Sequence, residues 1–594
     1  MQPGKFFFVV GPSGSGKDSL ISRVMPLLPN NQFLLARRVI TRQALLHTED
    51  HDSCSAAEFL EREKNGDFII TWQAHGLYYG LPSSLLHAIE QGVHVIANGS
   101  RSMVHLLQEK VPHLCVIEVN APIEVLRMRL NSRERETPEE IEKRLTRASL
   151  PLPAGIPRFK INNNLSLGIG ISRLKAILLC DPKSTDKIQH DLYQKIGGKS
   201  LNRASYSQLI PAIIQKKFSF DDAQTFLIAC TEHLTEDEIV SIAHARTFNY
   251  PRVAWGKSIV VDKHSLGGII GNRVSLVVIP IIAAFGLLIP KTSSRAITSA
   301  SGTADTMEVL AKVDLNFDEV KACVQATNGC IAWNGRLNHS LLDEAINPIT
   351  KSYGLDSRKW SVASILSKKY TAGSTHIVID VPYSASAKVK TQDEAVELAH
   401  LFEYVGKEIG LIVKAFPTDG DLPIGMGIGP ALEARDVLQV LANDPKASTP
   451  LLEKSLFFAA HILAFDPSVG NFDAGYQLAQ KLLVSGAALK KMEAIINFQG
   501  KLPTQDLKIY TLEVTAESNG RVQKIDGGII SDIARHCGAP VLKLAGVDLK
   551  KLPGDEVVQG EPLYLIQSTD LEKLQHAHQK ALIKSGFIMA SLNT

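Results

Sequence analysis

The sequence predicts a multidomain α/β protein, and three observations carry that prediction. Residues 6–10, FFFVV, read as an apolar strand running directly into a Gly-rich turn and a helical pattern. Strand-like and helical runs then alternate along most of the chain, the pattern of parallel sheets covered by helices. From about residue 505 the pattern changes to period two, with turns at SNG, DGG and PGD, which marks a small β-rich domain over 505–594. At 594 residues the chain is too long for one core, so three or four domains are expected.

Composition narrows the function classes. Hydrophobic residues make up 45% and charged residues 21%, as in ordinary globular proteins. The 64 basic and 61 acidic residues nearly cancel, which gives no global signal for a nucleic-acid partner. Seven cysteines are scattered without a C-x-x-C pair, which argues for reduced thiols in a cytoplasmic protein. The apolar run at the N-terminus is too short for a signal peptide. Val274–Pro290, broken by Ser275, Pro280 and Gly286, falls short of the roughly 20 residues a span needs. It reads as a buried helix, and no membrane partner is expected.

The first element is the strand 6–10, followed by GPSGSGKD: Gly11, Pro12, Ser13, Gly14, Ser15, Gly16, Lys17 and Asp18. Strand, G-x-x-x-x-G-K and helix form a P-loop, whose backbone N–H groups wrap a nucleotide's β-phosphate while the Lys reaches the outer phosphates. The usual hydroxyl after the Lys is replaced by Asp18, whose carboxylate suits Mg²⁺ directly or through water. Strand-like runs follow at Asp67–Trp72, Val93–Asn98 and Leu114–Val119, expected to extend a parallel sheet. RMRLNSRER at 127–135 carries four arginines and one carboxylate, suited to closing over a phosphoryl group in transfer.

These motifs, with ITR at 40–42, WQAHGLYYG at 72–80, NGSR at 98–101 and INNN at 161–164, resemble the ribose 1,5-bisphosphate phosphokinase family. The resemblance covers about residues 4–180 and implies a guanylate-kinase-like parallel-sheet domain over 1–185. It implies ATP-dependent phosphorylation of ribose 1,5-bisphosphate to 5-phosphoribosyl 1-diphosphate. Arg42, His75, Tyr78, Tyr79 and Arg101 would line the acceptor site, and Arg129, Arg133 and Arg135 would form the lid. The polar stretch 186–202, with Gly197–Gly198, reads as a linker, and 203–256 as a helical subdomain.

Residues 259–306 organise the second half. Ile259–Val261 read as a short strand, followed by a loop with Lys263, His264, Ser265, Gly267 and Gly268. A second loop carries Thr292, Ser293, Ser294, Arg295, Thr298, Ser299, Ser301 and Thr303. Two such loops flanking one buried helix bring hydroxyls, backbone N–H groups and cations together, as a phosphate ion requires. The Gly-rich 418–438 runs into a helix; without a kinase-type Lys, close loop packing is its better reading.

The stretches DKHSLGG, SSRAITSASGTADT, SVASILSKK and GSTHIVIDV resemble the pyrimidine-nucleoside phosphorylase family, in the branch of the AMP phosphorylases and the archaeal-type thymidine phosphorylases. The resemblance covers about 203–590, with an α/β domain at 257–500, and implies an assembly of at least two copies. It implies phosphate binding by Lys263, Ser265, Ser275, Ser293 and Thr303, and base contacts by Ser364 and Lys368 beside His264. The thymidine enzymes' base-binding Arg has Ile349 in its place. The AMP branch instead implies nucleotide contacts at Gly268, Ser294, Arg295, Ala296, Ile297, Thr298, Ser299, Thr303, Ser364 and Lys388, with Asp356 as proton donor. His264 also reads as a structural histidine and Asp356 as a helix N-cap. Both substrates therefore stay open: a nucleoside monophosphate, whose sugar product would feed the kinase, or thymidine. A non-catalytic guanylate-kinase-like N-terminal module is a third reading, opposed by the retained Lys17 and arginines.

Overall fold

A computed structural model describes the chain outside residues 1–2, 42–50, 75, 133–140, 143–144, 146–157, 181–185, 233, 249–250, 268, 270, 297–298, 336, 338–357, 386, 422, 505 and 591–594. Among the expected site residues, Arg42, His75, Arg133, Arg135, Gly268, Ile297, Thr298 and Asp356 lie outside the described residues, as does Ile349. The contacts divide the chain into two compact units, Met1–Glu238 and Ile239–Asp343 with Arg358–Thr594. The architecture is mixed α/β with parallel sheets.

The first unit is built on a five-stranded parallel sheet. The wholly buried strand Phe6–Val10 lies at its centre, flanked by His94–Asn98 and Leu114–Asn120, with Phe33–Leu35 and Arg158–Asn162 at the edges. A central strand covered on both faces is apolar at every position, which is why FFFVV shows no alternation. The run at 67–72 departs from expectation. Strand Phe68–Ala74 pairs antiparallel with Leu77–Pro82 in a separate four-stranded sheet, because the turn at Gly76 is too short for a crossover.

The stretch 186–202, expected as a linker, has regular structure. It contains helix Lys187–Ile196, which buries Leu192, Tyr193 and Ile196 on one side despite its polar composition. Helix Phe220–Glu232 packs on helix Leu167–Leu179 through the ion pairs Arg173–Glu232 (2.9 Å) and Lys175–Asp222 (2.7 Å). Residues 203–238 thus join the first unit rather than the second.

In the second unit, strand Val261–Ser265 pairs in parallel with His376–Tyr383, which pairs in turn with Ile412–Asp419. On its other side the bridge Val260–Leu288 leads to Ile289–Ser293, itself parallel to Gly329–Trp333. Lys263, His264 and Ser265 were expected in a loop but end a strand, as do Thr292 and Ser293. Polar residues obscure the strand pattern because they sit at the carboxyl edge, where ligands bind in parallel sheets. Val274–Phe285 is a wholly buried helix except at its last turn, and among the described residues no helix is long and apolar enough to cross a membrane.

The tail is less purely β than its pattern suggests. It adds helices Gly527–His536 and Leu571–Ile583 to two antiparallel sheets. One sheet takes in Gly427–Ile428 from the Gly-rich loop, whose packing role is visible there. A Cβ on Gly425 would lie 2.7 Å from Asp436 and 2.8 Å from Arg273, a buried ion pair.

Candidate functional sites

The Gly-rich loop 11–16, read from the sequence as a P-loop, emerges from the centre of the parallel sheet. Gly11, Gly14 and Gly16 hold φ of 154°, 83° and 88°, a backbone that turns successive N–H groups toward one point. Lys17, the first residue of helix Lys17–Val24, donates from Nζ to the carbonyls of Gly11 (2.8 Å) and Pro12 (3.0 Å), so its ammonium lies over the loop. Ser15 is buried, and its carbonyl accepts from Asn163 Nδ2 at 2.7 Å. Asn163 belongs to INNN, so that motif ties the loop to the end of strand Arg158–Asn162.

Asp18 is exposed and hydrogen-bonded to the Asn98 amide, close to Lys17 and facing solvent. Its carboxylate oxygens are of the hard kind that Mg²⁺ favours. Arg129, half-buried on helix Ile123–Asn131, places Nη1 3.9 Å from the point a Cβ on Gly16 would occupy. Arg129, expected in the lid, and the Gly-rich loop are thus brought together. Arg101 follows strand His94–Asn98, and burial lowers its pKa while Glu118 opposes that. Glu118 is itself buried and paired with Arg158 at 3.0 Å. Tyr79 stacks on Trp72 (5.3 Å) and Tyr78 on Phe59 (5.5 Å), in the smaller sheet.

The second unit gathers its polar residues at one sheet edge. Lys263 and Asp380 are fully buried on neighbouring strands with Nζ and Oδ2 3.8 Å apart. Among the described residues the Lys263 ammonium makes no hydrogen bond. Asp380 is already served by Ser265 Oγ (2.8 Å), Thr418 Oγ1 (2.6 Å) and Lys454 (3.4 Å). Burial pushes the Lys263 pKa from 10.5 down to about 8, against the pull of Asp380. A buried ammonium without hydrogen bonds is stabilised by nearby negative charge, which Asp380 supplies here from 3.8 Å. Ser275 is buried in the first turn of helix Val274–Phe285, whose positive N-terminal end follows the same strand. Ser265, expected to bind phosphate, donates to Asp380 and accepts from Asn272 Nδ2 at 2.7 Å.

The opposite face of the strand carries Asp262 and His264. Asp262 pairs with Lys369 (2.7 Å) and Lys291 (3.5 Å), and Lys291 also donates to the Lys263 carbonyl at 2.7 Å. Burial lowers the Lys291 pKa to about 7. Burial, then the charges of Lys291, Lys369, Lys368 and Lys263, hold His264 well below 6.5. It is a neutral imidazole at neutral pH, able to donate one N–H without being an acid. Ser364 is buried on helix Arg358–Thr371 and accepts from Arg246 Nη2 at 3.3 Å. Lys388 is exposed on the loop after strand His376–Tyr383.

Ser293 ends the neighbouring strand, and Thr303 starts helix Thr303–Met307. Between them Ser294 and Ser299 are exposed, while Ala296 donates its N–H to Asp305 Oδ2 at 2.7 Å. Arg295 is engaged elsewhere than expected. It forms a fork with Glu308 (2.5 and 2.6 Å), reaches Asp305 at 3.3 Å and lies over the Trp333 ring. Two carboxylates neutralise the cation that the sequence offered for a substrate's 5′-phosphate. Asp380, Lys454, Thr418, Asn272, Asp262, Lys291 and Arg246 were missed, because each lies outside the recognised motifs or reads as an ordinary strand or helix residue. The spacing of strand ends in a parallel sheet is the signal that finds Asp380 and Thr418.

Titration of Lys263 gives a testable sign. Its ammonium is lost in the folded protein above about pH 8, so the KM for phosphate should rise about tenfold per unit beyond that. Stability moves oppositely, increasing from about pH 8 to 10.5 because only the unfolded chain binds the proton there. A pH profile of phosphate KM in Lys263→Arg should lose the step.

A family model described as "Glycosyl transferase family, a/b domain" matches residues 257–489, the segment that holds this sheet edge. The second unit therefore carries a glycosyl transferase α/β domain. Over nearly its whole length the chain is 46% identical to a bifunctional ribose 1,5-bisphosphokinase-thymidine phosphorylase of Cupriavidus pinatubonensis, covering 97% of this chain and 96% of that one. A protein of the same name from Cupriavidus necator is 45% identical, covering 98% and 97%. The chain belongs to this family of bifunctional proteins. A putative thymidine phosphorylase of Rhodopseudomonas palustris is 45% identical over 70% of this chain and 80% of its own. Among solved structures, anthranilate phosphoribosyltransferase from Thermus thermophilus superposes with a TM-score of 0.44 at 17% identity, over 52% of this chain and 99% of that one.

Proposed function

We propose that the chain is a bifunctional enzyme. One site phosphorylates ribose 1,5-bisphosphate to 5-phosphoribosyl 1-diphosphate with ATP, and the other splits a nucleoside or nucleoside monophosphate with inorganic phosphate. The observation that carries the second activity is the buried Lys263 ammonium with unused donors at the carboxyl edge of the sheet. Phosphate held there places an oxygen against the anomeric carbon. That oxygen forms the new C–O bond as the C–N bond breaks, and the electron pair leaves with the base. His264 supports the departing base by a hydrogen bond from its neutral ring, and Asp356 remains the proposed proton donor.

In the kinase site, the P-loop and Lys17 hold the phosphates and Arg129 faces the transferring group. Asp18 would hold Mg²⁺, which neutralises phosphate charge when bound. The terminal phosphoryl of ATP passes to an oxygen of the acceptor's 1-phosphate, leaving ADP.

With a nucleoside monophosphate as substrate, the phosphorolysis product is ribose 1,5-bisphosphate, and the two sites run in sequence. The engagement of Arg295 by Glu308 and Asp305 favours a second reading, thymidine phosphorolysis, in which no 5′-phosphate must be bound. Incubating the protein with phosphate and AMP, CMP, UMP or thymidine separates them. Base released from a monophosphate supports the sequential enzyme; release from thymidine alone removes it.

A further inference from the structure

We propose that the C-terminal domain is a working part of the phosphorolysis site: it fixes the hydroxyl-rich loop between strand Ile289–Ser293 and helix Thr303–Met307. The inference rests on the reading of that loop as a substrate contact. Lys543, from the C-terminal domain, reaches Glu308 at 2.8 Å and Asp305 at 3.6 Å. These carboxylates secure both ends of the loop. Asp305 Oδ2 accepts from the N–H groups of Ala296 (2.7 Å) and Gly302 (3.1 Å), and Glu308 grips Arg295. Arg295, ahead of Lys543, holds the Glu308 pKa down to about 2, so the fork stays charged at any working pH.

A second attachment lies in the middle of the loop. Ala300 donates its N–H to Ser531 Oγ at 3.1 Å and is buried in the C-terminal domain's own core with Ile530 and Ala534. The lysine itself is held in place, since its carbonyl accepts from the N–H of Ala431 at 3.0 Å. Two cations and two carboxylates in partial burial make a network whose members need one another. Without Lys543, Asp305 and Glu308 share one arginine, and only the Ala300 attachment still ties the loop to the tail. Lys543 and Ser531 are positioning residues: they act on substrate through the backbone of Ser294–Ala296 and Ser299–Gly302.

The test uses full-length Lys543→Met, Lys543→Arg and Ser531→Ala. Lys543→Met should raise the KM for the nucleoside or nucleotide about tenfold, with the phosphate KM and the kinase rate within about twofold of wild type. Lys543→Arg should restore most of the loss. Amide hydrogen exchange of the 294–303 peptide should quicken in Lys543→Met and in Ser531→Ala, whether or not the wild type releases base. Unchanged exchange would overturn the proposal, and so would equal rises in both KM values. A wild type that releases no base would instead remove the phosphorolysis reading, while exchange still decides the attachment.

Discussion

Lys263→Met is expected to reduce phosphorolysis about 10³-fold in kcat/KM while leaving the kinase rate unchanged, measured on the same preparation. The size follows from what the ammonium does. It is fully buried and, among the described residues, makes no hydrogen bond, so its donors are available to an anion. In that dry setting a charge aimed at phosphate is worth far more than at the surface, and methionine supplies none. The variant should stay folded, because Asp380 keeps Lys454 and the hydroxyls of Ser265 and Thr418. Asp380 loses one buried countercharge, so the melting temperature should fall while the protein stays folded at the assay temperature. Lys263→Arg should recover a fraction of the activity: it restores charge, but its fork does not fit a pocket shaped around an ammonium.

Lys17→Ala should reduce ATP turnover with ribose 1,5-bisphosphate by roughly 10³-fold and leave base release untouched. Lys17 crosses the loop to the Gly11 and Pro12 carbonyls, which keeps its ammonium beside the loop proposed to hold ATP's phosphates. The two lysine variants are a matched pair. Each should silence one activity and spare the other. A Lys17→Ala protein with unaltered ATP turnover would contradict the kinase assignment.

The sequence shows the P-loop well because its chemistry and its geometry coincide. The glycines that admit positive φ are consecutive with the lysine that uses the loop. The surroundings of Lys263 are legible only in part: Lys263 and Asp380 both sit in quoted motifs, but no motif pairs Asp380 with Ser265, 115 residues away, or includes Thr418. Their partnership is created by parallel register, Ser265 opposite Asp380 and Pro382 opposite Thr418, which periodicity does not disclose. Arg295 shows a partner that the sequence does not display. An isolated arginine in a hydroxyl-rich loop suggests an anion site, but Glu308 lies thirteen residues ahead, one short helix later, and takes the guanidinium. The helix at 187–196 was concealed by polar composition, because only Leu192, Tyr193 and Ile196 need be apolar to seat it. At 67–72 an apolar run gave a strand correctly but not its sheet, since pairing depended on the tight turn at Gly76.

The phosphate dependence of base release tests the central claim most directly. Base release from the nucleosides and nucleoside monophosphates should require inorganic phosphate, saturate with it, and yield one sugar 1-phosphate per base. Release that proceeds equally without phosphate, giving free sugar, or no release from any of these substrates, would contradict the assignment of the Lys263 edge as a phosphorolysis site.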